Sequence, residues 1–266
     1  MNCEKSENAI KIVSICATER KKGNSVLAAK YIAKKLNAEL EVINLVKLNI
    51  RPCKACYKCL YGEECRIDDD VVAVFERINE ADLVLICSPV YWLDATGMFK
   101  ALLDRCFMAI SYIESFSQKN AIILTFHGFE DMKGWASATH NVFARVLGLN
   151  VLANIEVRAA LPGEIFLEKE NIEKLNLAAD LLIKGERSLS ENQCPVCMNT
   201  TFRIENGKLV CPVCGSVFDA KLNLIEKGER FTLEWIAHHF GKELIGLKEK
   251  YKVQKEELKK AIKIVE

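Results

Sequence analysis

No uninterrupted apolar run of about 18 residues occurs in this chain, so a membrane-spanning helix is not expected. Met1–Asn8 is polar and no apolar stretch follows a basic start. No secretory signal is therefore expected, and the chain reads as cytoplasmic. Charge of one sign is also lacking: 37 basic residues stand against 36 acidic ones, net +1, which gives no electrostatic footprint for nucleic acid. What is present is an ordinary globular composition, 50% hydrophobic and 27% charged over 266 residues. That length accommodates one full domain and a smaller one, and the composition argues against extensive disorder.

Cysteine is the residue in excess, with twelve in the chain. Eight of them fall into two spaced quartets, which fits a reducing compartment with metal sites better than a disulfide framework. The first quartet is Cys53, Cys56, Cys59 and Cys65, spaced C-x2-C-x2-C-x5-C. Four thiolates this close suit an iron–sulfur cluster, since two-residue gaps let successive sulfurs wrap one face of a cube. The last gap is longer than in the bacterial ferredoxin run, and no proline follows. Zinc, or no metal at all, stays open at this quartet.

Residues 1–190 alternate strand-like and helix-like segments. Apolar runs at Ile10–Ala17, Glu41–Val46, Leu83–Cys87, Ala121–Phe126 and Val151–Val157 read as strands. Periodic segments at Ser25–Leu36, Val72–Ile78 (with Asp68–Asp70 as cap and first-turn acids), Thr96–Phe107, Trp135–Leu147 and Asn171–Lys184 read as helices. This pitch implies a doubly wound, five-stranded parallel sheet with both faces covered. In open sheets of this kind, ligands bind beyond the carboxyl ends of the strands.

The first such loop, Thr18–Ser25, brings hydroxyls, Arg20, Gly23 and Asn24 to a helix start, as one phosphate would require. It is neither a Walker loop nor a G-x-G-x-x-G, and a basic solvated turn is the plain alternative. The second runs Ser88-Pro89-Val90-Tyr91-Trp92 and continues through Gly97-Met98-Phe99-Lys100 to Asp104-Arg105. This string resembles the flavin-binding segment of the flavodoxin-like NAD(P)H-dependent FMN reductase family, S-P-x-Y-W/Y followed by G-x-(L/M)-K and a D-R pair. Thr18–Ser25 is similar to the same family's G-S-x-R-x-x-G-N-[ST], with Thr18 at the Ser position and Ala17 where Gly is usual. His127-Gly128-Phe129-Glu130 falls at the family's last flavin-side loop, and the likeness covers about residues 8–165.

Within that superfamily the first quartet resembles the compact motif of the iron–sulfur flavoproteins of archaea and anaerobic bacteria, in spacing and in place after the second strand. The resemblance implies one FMN and one 4Fe–4S cluster per subunit. It also implies Thr18, Arg20, Gly23, Asn24 and Ser25 at the phosphate, with Ser88, Pro89, Val90, Tyr91, Trp92, His127 and Gly128 toward the ring. From the residues alone, Tyr91 and Trp92 equally suit packing at a sheet end, and a lone loop histidine usually does nothing special.

A polar linker at Glu186–Gln193 precedes Cys194-Pro195-Val196-Cys197 and Cys211-Pro212-Val213-Cys214, two knuckles joined by a hairpin turning at Asn206-Gly207. These describe a zinc-ribbon-like module over 191–228, with a structural zinc favoured and a rubredoxin-like iron the alternative. Over 229–266, Thr232 can cap a long helix whose stripe of Leu233, Ile236, Phe240, Leu244, Leu247, Tyr251, Leu258, Ile262 and Val265 packs on its own domain or on another subunit. Cys16 and Cys87 read as buried apolar residues, Cys106 as helical and Cys3 as terminal; none has a partnering base that would make it a nucleophile.

The expectation is thus a homo-oligomeric electron-transfer flavoprotein, dimer or tetramer, with ferredoxin or NAD(P)H as donor and no nucleic-acid or membrane partner. A cluster-free NAD(P)H-dependent FMN or quinone reductase is the second reading. A non-enzymatic redox-responsive carrier, docking a partner through its ribbon, is the third.

Overall fold

The computed structural model describes residues 9–264, so Cys3 and Val265 lie outside the described residues. In chain order the first strands are β1 (Lys11–Cys16), β2 (Glu39–Asn44), β3 (Leu83–Tyr91), β4 (Asp94–Ala95), β5 (Asn120–His127) and β6 (Asn150–Arg158). Five of them make the expected parallel sheet, ordered β2-β1-β3-β5-β6, with the two-residue β4 folded back antiparallel on the end of β3. The helices of this part are α1 (Asn24–Lys35), α2 (Val71–Glu80), α3 (Gly97–Asp104), α4 (Ile113–Phe116), α5 (Ala136–Val146) and α6 (Lys169–Lys184).

Period-2 alternation sorts the strand side chains onto two apolar layers. Ile12, Leu85 and Leu124 face one way and pack with α1 and α6. Val13, Val84, Ile86 and Ile123 face the other and pack with Phe75 of α2, Phe99 of α3 and Phe143 of α5. Cys16 and Cys87 are buried in these layers as expected, Cys106 is buried too, and burial pushes the Cys16 thiol up to about 12.

Several boundaries differ from the sequence expectation. β2 begins and ends two residues before the predicted Glu41–Val46. The helix predicted through Phe107 stops at Asp104; Arg105 turns inward to a buried carboxylate, and the chain continues as a tighter 3-10 run over Cys106–Tyr112. Asp70 precedes α2 but its side chain makes no cap bond; its Oδ2 instead accepts from Asn49 N–H at 2.7 Å.

The C-terminal part is not a separate bead. Its four short strands, β7 (Arg203–Glu205), β8 (Lys208–Val210), β9 (Val217–Phe218) and β10 (Leu224–Glu226), form an antiparallel sheet. The β7–β8 hairpin turns at Asn206 and Gly207, with φ of 51° and 74°, as that dipeptide predicts. Asn141 Nδ2 of α5 donates to Cys197 O at 2.8 Å, and Asn154 Nδ2 of β6 donates to Met198 O at 3.0 Å. Met198 itself joins the core of the large sheet.

The final helix comprises α7 (Leu233–His238), a π turn over His239–Glu243 and α8 (Leu244–Ile262). Ile236 and Phe240 are buried on the same core, whereas Leu247, Tyr251, Leu258 and Ile262 are exposed. The predicted stripe is therefore half used within the chain. Among the described residues no helix is long and apolar enough to cross a membrane.

His140 sits wholly buried between the sheet and α5, its Nδ1 2.8 Å from Thr125 Oγ1 and its ring 4.5 Å edge-on from Phe99. Burial holds its pKa down at about 3, against an ordinary 6.5. Between those values the unfolded chain binds a proton that the folded chain refuses, so stability falls as pH drops through that window, by at most about 1.4 kcal/mol per pH unit. Thermal unfolding followed from pH 7 to pH 4 should show a shallower loss of stability in H140Q than in the wild type.

Candidate cofactor and metal sites

The loops leaving the carboxyl ends of β1, β3, β5 and β6 surround an open cavity of about 300 Å³. Ten of the twelve residues predicted for a cofactor line it: Thr18, Arg20, Gly23, Asn24, Ser25, Pro89, Val90, Tyr91, Trp92 and Gly128. Ser88 does not; it is fully buried beneath the loop and its Oγ has no hydrogen-bond partner. Nor does His127, which is buried with Nδ1 3.0 Å from Phe129 O and borders a neighbouring charged cavity with Lys133, Glu156 and Arg158. Burial lowers its pKa and keeps the ring neutral near pH 7.

One end of the cavity has the chemistry of a phosphate site. Gly23 precedes α1 without a side-chain cap, so the first-turn N–H groups of the helix and its dipole are left for an anion. A Cβ at Gly23 would sit 3.1 Å from both Arg20 O and Thr18 Oγ1, so the chain is drawn in tightly here. Asn44, at the end of β2, holds the Thr18 backbone from both sides: its Oδ1 accepts from Thr18 N–H at 3.2 Å and its Nδ2 donates to Thr18 O at 2.8 Å.

The side chain of Asn24 is engaged elsewhere. Its amide donates to Ala159 O and Leu161 O and accepts from Gly163 N–H, tying the helix start to the loop after β6. Arg20 Nη1 donates to Ala160 O at 2.6 Å in the same loop. Ala159 and Ala160 thus line the cavity, and the sequence reading did not assign them. Their place just past a strand's carboxyl end was the available signal.

The other end is built by a strained hairpin. β3 turns into β4 through Trp92 and Leu93 alone, with φ of 49° and 67°. Two-residue turns of this hand favour Asn-Gly, and a bulky residue in the left-handed region costs about 1–3 kcal/mol. The turn is held from outside: Trp135 N–H donates to Leu93 O at 2.7 Å, and a Cβ on Gly134 (φ 62°) would lie 2.0 Å from that same oxygen. The indole of Trp92 is 96% exposed at the mouth, beside the exposed Phe129 and Met132.

Cys53, Cys56, Cys59 and Cys65 line a second cavity of about 210 Å³, with Tyr57, Arg105, Phe107 and Met108. Left-handed φ values at Ala55, Tyr57 and Gly62 curl the loop around it. Ala55 N–H points at Cys53 Sγ at 3.4 Å, and Tyr57 packs edge-on against Phe107 with centroids 5.3 Å apart. Burial first, then the neighbouring Cys65, Cys53 and Cys56, push the Cys59 thiol up to about 11. No three of these sulfurs lie within 4.8 Å of one another. A single tetrahedral zinc, with bonds of about 2.3 Å, would hold them about 3.8 Å apart. The four thiols are thus spread around the cavity they line rather than gathered on one point.

At its neck, Asp69 accepts from Arg51 N–H at 2.9 Å and Val71 N–H at 3.3 Å and pairs with Arg105. Both side chains are essentially sealed from water, at 1% and 0% exposure. Burial opposes ionisation of Asp69, but the Arg105 guanidinium and the two N–H groups outweigh it and hold the carboxyl below its ordinary range. Removing one partner of such a buried pair typically costs about 3–5 kcal/mol.

The second quartet is the opposite case. Sγ of Cys194 and Cys214 are 3.6 Å apart, those of Cys197 and Cys211 3.5 Å, and all four buried sulfurs lie within 4.8 Å. The two knuckles repeat one geometry: Met198 N–H donates to Cys194 O and Gly215 N–H to Cys211 O, with Met198 and Gly215 both left-handed. Asn199 Nδ2 approaches Cys211 Sγ at 3.6 Å, and Arg145 Nη2 donates to Cys197 O at 3.2 Å. These separations match one tetrahedral ion on four thiolates.

Compared with known proteins, residues 10–160 match the family described as NADPH-dependent FMN reductase. An iron-sulfur flavoprotein of Archaeoglobus fulgidus is 38% identical over 103 residues, 38% of this chain and 50% of that protein. One of Methanosarcina thermophila is 33% identical over 99 residues, 36% of this chain and 52% of that protein. The chain thus spans about half the length of the curated relatives it matches. Among solved structures, a flavone reductase aligns with 94% of this chain and 92% of its own, at TM-score 0.63 and 19% identity, which shows a shared fold.

Gly134 tests the hairpin's role. G134A should separate the two loops at the cavity mouth and weaken FMN retention about tenfold or more, the equivalent of about 1.4 kcal/mol. Whatever metal the second quartet holds, its content, read on the same sample, should not change; equilibrium dialysis against FMN with metal analysis measures both.

Proposed function

Because the chain belongs to the NADPH-dependent FMN reductase family, we propose that it is a flavin-dependent oxidoreductase with FMN in the larger cavity and a 4Fe–4S cluster at Cys53, Cys56, Cys59 and Cys65. The observation that carries this reading is the contrast between the two quartets, one spread around a cavity that it lines, the other gathered to single-ion distance. FMN supplies hydride acceptance as an electron pair and release of electrons one at a time.

The chain's own residues do the holding. The uncapped start of α1, with Thr18, Ser25 and Arg20 beside it, binds the phosphate, and the backbone of Pro89–Trp92 borders the ring. No side-chain acid or base is required at the ring. α3 joins the sites mechanically, since its N-terminus follows the β3–β4 hairpin and Arg105 at its other end lines the cysteine cavity. At Cys194, Cys197, Cys211 and Cys214 we assign a structural zinc, whose tetrahedron fixes a module with little core of its own.

The donor is proposed to be NAD(P)H or a negatively charged one-electron carrier such as ferredoxin. Supporting the carrier, residues 51–66 hold four cations against two acids. α8 carries six lysines against three glutamates, and its Lys248 lies 4.9 Å over the ring of Tyr61 on the cysteine loop. The exposed apolar residues of α8 support a homo-oligomer.

An anaerobic preparation of the full chain should contain flavin, iron, labile sulfide and zinc, and C56S should lose the iron and sulfide while keeping zinc and flavin. Flavin without labile sulfide in the wild type would leave the cluster-free reductase. Absence of flavin would contradict both enzymatic readings.

A further inference from the structure

We propose that Arg105 is a positioning residue that sets the reduction potential of the group held by the cysteine loop, acting through Cys65 and countered by Asp69. The inference rests on the cluster reading above and concerns what this chain's own residues do to it.

The geometry separates two tasks. Asp69 already gathers the Arg51 and Val71 N–H groups, which closes the neck of the loop between the residues before Cys53 and those after Cys65. Arg105 strengthens that closure, since Nη1 also donates to Arg51 O at 2.9 Å. Its other nitrogen does something the neck does not need. Nη2 donates to Cys65 Sγ at 3.4 Å, lies 3.5 Å from Met108 Sδ, and bonds Asp69 Oδ1 at 3.3 Å. Arg105 itself lines the cavity.

A cluster gains one negative charge on reduction, and hydrogen bonds and positive charge at its sulfurs favour that state. The other cations on the cavity wall stand closer to water: Lys54 is exposed, and the side chains of Lys58 and Arg66 are 34% and 78% exposed, so solvent and salt screen them. Arg105, at 1% exposure, is not screened. Its charge at the sulfur is offset by one group, the Asp69 carboxylate that shares the same nitrogen. The pair works as a set dipole: removing the cation and removing the anion have opposite effects on the same sulfur.

The test is a redox titration of the anaerobically reconstituted full chain, followed by electron paramagnetic resonance. R105Q keeps a hydrogen-bond donor but no charge, and its cluster should become harder to reduce. D69N removes the charge and keeps one amide oxygen, enough to accept from one of the two N–H groups that the carboxylate meets with separate oxygens, and its cluster should become easier to reduce. R105K should fall nearer the wild type than R105Q. Flavin potential and zinc content should stay put in all three. Shifts of the same sign in R105Q and D69N, or none in either, would reduce Arg105 to a structural staple and overturn the proposal. If R105Q fails to load, the sign in D69N and R105K still decides. A wild type without labile sulfide removes the cluster reading and this proposal with it, an outcome visible before any titration.

Discussion

A parallel sheet cannot leave a face in water, and it sends every outgoing loop off the same edge. The rest of this molecule follows from that constraint. With α1 and α6 on one face and α2, α3 and α5 on the other, the chain emerges repeatedly at one rim. There Thr18–Ser25, the β3–β4 hairpin, Gly128–Trp135 and Ala159–Gly163 meet around one cavity. The loop after β2 leaves the same rim and carries the first cysteines. Asn44, Asn24 and the Trp135 N–H each tie one loop to the backbone of another, and Asp69 closes the cysteine loop on itself.

Two cysteine quartets of similar composition differ in how their sulfurs are arranged. In the ribbon, each C-P-x-C knuckle turns its thiols inward, and the opposed knuckles bring four buried sulfurs to single-ion distance. In the first loop three left-handed residues splay the thiols around a cavity. Hydrogen bonds from buried amides on α5 and β6 anchor the ribbon to the large domain, so its metal would brace the helix that begins just after the flavin-side loop.

Much of this was legible in the sequence, for reasons that differ by segment. Strand and helix identity followed from apolar periodicity, and the hairpin at Asn206-Gly207 from its dipeptide. That Thr18–Ser25 borders a cavity was readable from its place between a strand's carboxyl end and a helix start, although its residues alone equally suited a basic solvated turn. The hairpin at Trp92-Leu93 was not, since nothing in that dipeptide announces a turn; it is imposed from outside by Gly134 and Trp135. His127 carried a family position yet points away from the main cavity, because its ring is drawn to the Phe129 carbonyl. Asp69 read as a helix acid, and only the fold shows Arg105 arriving from 36 residues along the chain to meet it. Long-range polar pairs of this kind leave no periodic trace.

The most direct measurement of the central claim is X-ray absorption at the iron and zinc edges of one anaerobic sample of the full chain. The account predicts iron with sulfur neighbours and a short iron–iron distance, together with zinc bound by four sulfurs at about 2.3 Å. Zinc alone, filling both quartets with four-sulfur shells and no iron, would contradict it.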